Sequence, residues 1–142
     1  MNLMFSDSAD KMCIEDSNSR VGPDAIALKS GWDEYGIAYG KSTRNVHIKG
    51  AYLQVSTGSA LSFGSEMSGG ISGIVLGGLH IQNSFTGISF KTTNCRRGYM
   101  KDIISYLEMV IVNMALKATS QFGSHPDDKF DPNALPVINH IT

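Results

Sequence analysis

The sequence predicts an all-β chain wound as a parallel β-helix. Three observations carry that expectation. Apolar residues return at spacings of 27 to 28, as in Ile48 to Leu76 and Leu61 to Ile88. The runs that contain them alternate apolar and polar residues, the period of a strand with one buried face. The 15 glycines are scattered between these runs and not gathered into a linker, so they mark turns between many short strands.

The repeat can be followed along the chain. Ile48, Leu76 and Ile104 stand 28 apart, as do Leu53, Ile81 and Met109. Leu61 and Phe63 return 27 later as Ile88 and Phe90. An earlier copy aligns Ile14 with Ile48 at 34, and Ile26 and Leu28 with Leu61 and Phe63 at 35. The extra length is read as a loop around Trp32, Asp33, Glu34 and Tyr35. The segment from Tyr99 to Ala118 is the competitor for a helix. Its β-branched residues and the continuing register favour strand.

A coil of this kind cannot bury its apolar face alone. Stacked on its neighbours it gains a dry interior and ladder hydrogen bonds. The expected inward set is Ile14, Ile26, Leu28, Val46, Ile48, Leu53, Leu61, Phe63, Ile74, Leu76, Ile81, Ile88, Phe90, Ile104 and Leu107. The outward set includes Lys29, His47, Ser62, His80 and Ser89. The same register puts Asp24 one coil from Ser59, at a spacing of 35. Polar groups at matching coil positions form a ladder, along which an extended polymer can lie.

Composition limits the alternatives. A chain of 142 residues fits a single β-helix domain over residues 1–142, or part of a longer one. Apolar residues at 42% and a net charge of -1 exclude a disordered chain. The same charge gives no footprint for nucleic acid. No apolar run approaches bilayer length, so no membrane partner is expected. The four histidines do not cluster, and Cys13 and Cys95 stand singly, so neither metal nor cofactor is expected. The two cysteines could pair in an oxidising compartment. The acidic stretch HPDDKFDP, with His125, Asp127, Asp128 and Asp131, lacks the spaced glycine of a calcium loop and reads as a turn. The N-terminus has neither the basic region nor the apolar core of a secretory signal.

Four strings are distinctive: DAIALKSGWDEYGIAYG, FGSEMSGGI, NSFTGISFKT and FGSHPDDKFDPNALPVI. Together they resemble plant members of the polygalacturonase family, glycoside hydrolase family 28. The resemblance spans essentially the whole chain, as a central fragment of a longer member. It implies a right-handed parallel β-helix, and neither terminus of this segment shows an amphipathic helix that could serve as an end cap. It also implies cleavage of galacturonan in pectin with inversion, and an extracellular or cell-wall location.

The resemblance carries four motifs, and each is altered here. The acid of an Asn-Thr-Asp signature falls near Asn2 and is absent or cut off. An Asp-Asp pair reads Pro23-Asp24. A Gly-His-Gly reads Gly58-Ser59-Ala60. An Arg-x-Lys reads Ser89-Phe90-Lys91. Inverting hydrolysis needs a carboxyl that protonates the leaving oxygen and a carboxylate that activates water. In the family the first acid of the pair is taken as the donor, and Pro23 has no titratable group. Asp24 remains as a candidate base, or as a turn residue before a strand. Lys91 is a candidate for binding a galacturonate carboxylate, or a solvated lysine. Ser59 occupies a substrate-binding position by its motif. Trp32 and Tyr35 are candidates for stacking on a sugar ring, or pack against their own coil.

Two functional readings therefore stand. One is a glycosidase acting on pectin, a polygalacturonase by resemblance. The other is a degenerate, inactive β-helix that at most binds galacturonan. A solenoid segment also exposes apolar cross-sections and unpaired strand edges at its ends. Self-association through those ends is the expected consequence. Sedimentation velocity on the isolated chain should show concentration-dependent oligomers, and a monodisperse monomer with a cooperative melt would contradict this.

Overall fold

The computed structural model describes residues 4–94, 96–109, 112–119, 133 and 135–142, with backbone alone for strand residues 107–109 and 112–115. In chain order the elements are β1 (Met4–Asp7), β2 (Asp10–Glu15), β3 (Asn18–Val21), β4 (Ile26–Lys29) and α1 (Asp33–Tyr39). They continue with β5 (Thr43–Lys49), β6 (Tyr52–Val55), β7 (Ser59–Gly64), β8 (Ile71–Ile81) and β9 (Ser84–Lys91). The last three are β10 (Tyr99–Met109), β11 (Val112–Thr119) and β12 (Val137–Ile141). The described residues of the segment Tyr99 to Ala118 are thus strand, as its β-branched content predicts.

Strands that follow one another in sequence do not pair; those one coil apart do. One sheet runs β1-β4-β7-β9-β11 and the other β12-β10-β8-β5-β2, with β3 and β6 pairing at its side. Pairing between coils is parallel, for example β4 with β7 and β7 with β9. A right-handed crossover is the hand that the twist of L-peptide strands favours between parallel strands. The chain is a right-handed parallel β-helix.

The interior is the ladder of apolar residues that the spacing predicts. Ile26 is in register with Leu61 and Leu28 with Phe63. On the next coil, Leu61 meets Ile88 and Phe63 meets Phe90. The two phenylalanine rings stack with centroids 5.0 Å apart, an arrangement that adds to their area burial. Thirteen of the fifteen expected inward residues, from Ile14 to Phe90, are buried.

The exceptions lie on β10. Ile104 is 41% exposed, while its neighbour Ile103 is buried. Ile103 pairs with Ile74, a spacing of 29, whereas Met109 pairs with Ile81 at 28. The register shifts between Tyr106 and Leu107, which face Gly77 and Leu79. Gly78 has no opposite residue, so β8 carries a one-residue bulge there. Its φ of +58° is a left-handed conformation that glycine adopts without cost. A constant spacing of 28 ignores this bulge and turns the wrong isoleucine inward. The side chain of Leu107 lies outside the described residues, as do Cys95 and the stretch from His125 to Asp131.

The loop expected around Trp32 is in part a helix. α1 begins with Asp33 and Glu34 in its first turn and ends at Gly40 in a left-handed conformation, whose N–H bonds the Gly36 carbonyl at 3.0 Å. Acids at the start and glycine at the end are the terminal preferences of a helix. Seven residues are too few to show a helical stripe in sequence.

α1 is anchored by one buried cation. Arg96 is fully buried, forms an ion pair with Asp33 and donates from Nε to the Ser65 carbonyl at 3.0 Å. Its guanidinium lies over the Trp32 ring, 5.3 Å from the centroid. Such a pair is costly to break from one side, because the remaining charge stays buried.

The corrected register gives a paired prediction. Ile103→Ala should destabilise the chain by about 2–5 kcal/mol, the range for truncating a buried isoleucine. Ile104→Ala should stay within about 0.5 kcal/mol, as surface changes do. Denaturant unfolding of both variants checks the assignment.

Candidate active site

The turn before β4, Phe5 of β1 and the outward faces of β7, β9 and β11 form a groove of about 360 Å³. Among the described residues, its lining includes Asp24, Ser59, Ser89, Lys91 and Lys117, with Pro23 beside Asp24. Three of the five predicted site residues, Asp24, Ser59 and Lys91, are therefore brought together.

The ladder explains the convergence. Asp24 sits just before β4, where the chain leaves a turn. The stacking of β7 on β4 carries the Ser59 amide beneath its carboxylate. The Ser59 N–H donates to Asp24 Oδ1 at 2.8 Å, and the Ser62 hydroxyl donates to Oδ2 at 2.9 Å. Lys91 lies one coil further on, opposite Gly64 in the register. Lys91 Nζ reaches across and forms an ion pair with Asp24 Oδ2. Both side chains keep 15–18% of their surface open to solvent. The hydroxyls of Ser59 and Ser89 hydrogen-bond each other at 2.7 Å.

Asp24 thus accepts from three donors: a backbone amide, a hydroxyl and an ammonium. Such a set orients the carboxylate firmly. Ser62 and Ser89 face outward as the alternation predicts, yet both are buried because this network covers them.

Trp32 and Tyr35 are not brought to the groove. Trp32 lies against Arg96 beneath α1, and Tyr35 is 61% exposed on the helix. The aromatic residues of the groove are Phe5 and Phe85, both exposed. Neither stands out in sequence, since each is an outward residue in an otherwise ordinary strand. Lys117 was also missed, although it follows Ser89 by the same 28 positions that define the repeat.

A comparison with protein-family models found no match. The chain is 41% identical over 136 residues to a probable polygalacturonase of Vitis vinifera, a match that covers 95% of this chain and 28% of that protein. The chain is a polygalacturonase-like β-helix. Its fold matches that of a hyperthermoactive exopolygalacturonase from Thermotoga maritima with a TM-score of 0.81 at 25% identity. That match covers 99% of this chain and 31% of the other. The polygalacturonase-like chain therefore spans less than a third of the length of either protein.

Within the groove, Gly58 fixes the approach of β7 to Asp24. A Cβ there would lie 2.6 Å from the Asp24 amide nitrogen and 2.6 Å from the Pro23 carbonyl carbon. Both neighbours are backbone and cannot turn aside. Gly58→Ala should destabilise the fold by about 1–3 kcal/mol through overpacking. It should also displace Asp24 from the Ser59 amide. Thermal unfolding reads the first effect, and amide exchange at Ser59 reads the second; an unchanged protection factor there would refute the displacement.

Proposed function

We propose that this chain acts on the α-1,4-galacturonan of pectin as part of a polygalacturonase. Asp24 serves as the base, with Lys91 and Ser59 holding the substrate. The observation that carries the reading is the convergence of Asp24, Ser59 and Lys91 in one open groove on the solenoid face. The groove runs across the strands, and so along the axis that an extended polysaccharide would follow. The sequence match and the fold match, both to proteins named as polygalacturonases, support it. An extracellular or cell-wall location follows from the substrate. Among the described residues, no helix is long and apolar enough to cross a membrane.

In this reading the substrate lies with a glycosidic bond above Asp24. The carboxylate draws a proton from water, and the hydroxide character that develops attacks the anomeric carbon from the opposite face. Lys91 offsets the charge of Asp24 and of a nearby galacturonate. The leaving oxygen must receive a proton from a second carboxyl, roughly 6.5–9.5 Å away in inverting enzymes. Pro23 stands at the motif position of that donor and cannot supply it. Asp24 is the carboxylate among the described groove-lining residues. Lack of a general acid costs about 10²–10⁴ in rate, so slow turnover is the expectation.

The same groove supports a second reading, in which the chain only binds galacturonan. The observation behind it is that Asp24 is already engaged by three donors while Pro23 occupies the donor's place. The sequence and fold matches favour the hydrolytic reading over this one.

Release of reducing ends from polygalacturonate, measured beside binding, separates the two. The hydrolytic reading expects slow release that Asp24→Asn lowers about a hundredfold or more, with binding largely kept. Binding without release would leave a binding module. Release that survives Asp24→Asn would remove Asp24 from the mechanism.

A further inference from the structure

We propose that the chain carries a second polysaccharide site on the β3–β6–β8 side of the solenoid, where Arg20, Tyr52, Gln54, His80 and Gln82 hold a uronate-bearing polymer away from the groove. The choice of a uronate rests on the polygalacturonase reading. The site itself shares no lining residue with the groove around Asp24.

Three observations lead to it. First, the ladder sets two rows side by side on this flank. Asn18 is in register with Tyr52, and Tyr52 with His80. Arg20 is in register with Gln54. The Gln82 N–H donates to the Leu53 carbonyl at 3.1 Å, which carries that row onto the third coil. Three coils extend each row over about 10 Å along the axis. A shallow hollow of about 120 Å³ lies against them. Second, Tyr52 and His80 stack with centroids 4.5 Å apart and planes 9° from parallel. Phe63 and Phe90 make the same arrangement in the interior, where burial accounts for it. Tyr52 is 55% exposed, so burial does not account for the outer pair. Third, Arg20 is exposed, and the described lining of the hollow holds no carboxylate to offset its charge.

These features match an acidic sugar. The stack holds the Tyr52 ring in place, and its face away from His80 points along the axis toward the shorter Asn18. A ring fixed in advance loses little freedom when the C–H face of a sugar packs on it. The Arg20 guanidinium takes a carboxylate in two parallel bonds. Gln54 and Gln82 each offer both donors and an acceptor to hydroxyls. Without a carboxylate in its described lining, the hollow lacks the acid and base of inverting hydrolysis. It holds the polymer and does not cut it.

Titration of the isotope-labelled full chain with trigalacturonate, read by amide chemical shifts, tests this. Saturable shifts are expected at Tyr52, Gln54 and His80 as well as at Ser59. Arg20→Gln should weaken the response of the hollow about tenfold or more, the effect of one charged hydrogen bond. Tyr52→Val should also weaken it, while valine keeps the strand preference at that exposed position. Both variants should leave the Ser59 response unchanged. Neutral galactotriose should move none of the hollow's amides. Shifts at Ser59 with none in the hollow would overturn the proposal and leave the polygalacturonase reading intact. Shifts in the hollow with none at Ser59 would support the proposal and remove the groove from substrate binding. Hollow shifts that survive Arg20→Gln, or that galactotriose reproduces, would overturn the assignment of a uronate. Silence at both places would overturn both readings.

Discussion

The parallel backbone ladder between coils is the constraint on which everything else depends. Each hydrogen bond of the ladder fixes which residue of one coil lies over which residue of the next. That single relation places Phe63 on Phe90 in the interior. It also places the Ser59 amide under Asp24 on the outer face. Core and site are thus two faces of one register. A shift of one residue in β7 would turn the apolar set outward and separate Asp24 from its donors in the same step.

The interior and the groove differ in how their charges are managed. Arg96 is sealed away with Asp33, a carbonyl and an aromatic face. It serves to clamp α1 to the coil, and the ligand-facing side gains nothing directly. The Asp24–Lys91 pair is left partly open instead. There an incoming carboxylate can compete for Lys91, and an incoming hydroxyl can compete for Asp24. An interaction of the same type is a strut in one place and an open contact in the other, and solvent access makes the difference.

Much of this was legible in the sequence, because a stacked fold writes its contacts as a spacing. The pairs Ile14–Ile48, Leu28–Phe63 and Phe63–Phe90 follow from counting alone. So does the nearness of Asp24 and Ser59. Counting failed where the backbone departs from regularity. The bulge at Gly78 has no signature beyond a pair of glycines, and it exchanged Ile103 for Ile104. α1 is too short to announce itself by periodicity. Residue type leaves Trp32 and Tyr35 open to sugar stacking or to packing against their own coil, and Arg96, more than sixty positions later, lies over the Trp32 ring. Lys117 was within reach of the same count and went unnoticed because its coil begins in a segment that competes for a helix.

The bulge at Gly78 has a consequence for how such a chain can change over time. Gaining or losing a single residue in a strand usually inverts everything downstream of it. Here the surplus residue is absorbed in β8, and the alternation resumes on both sides, with Ile74 and Ile81 both still facing the interior. At this point the solenoid therefore absorbs a difference in coil length at a glycine. Adjacent coils can differ in size there while the outward face keeps its order.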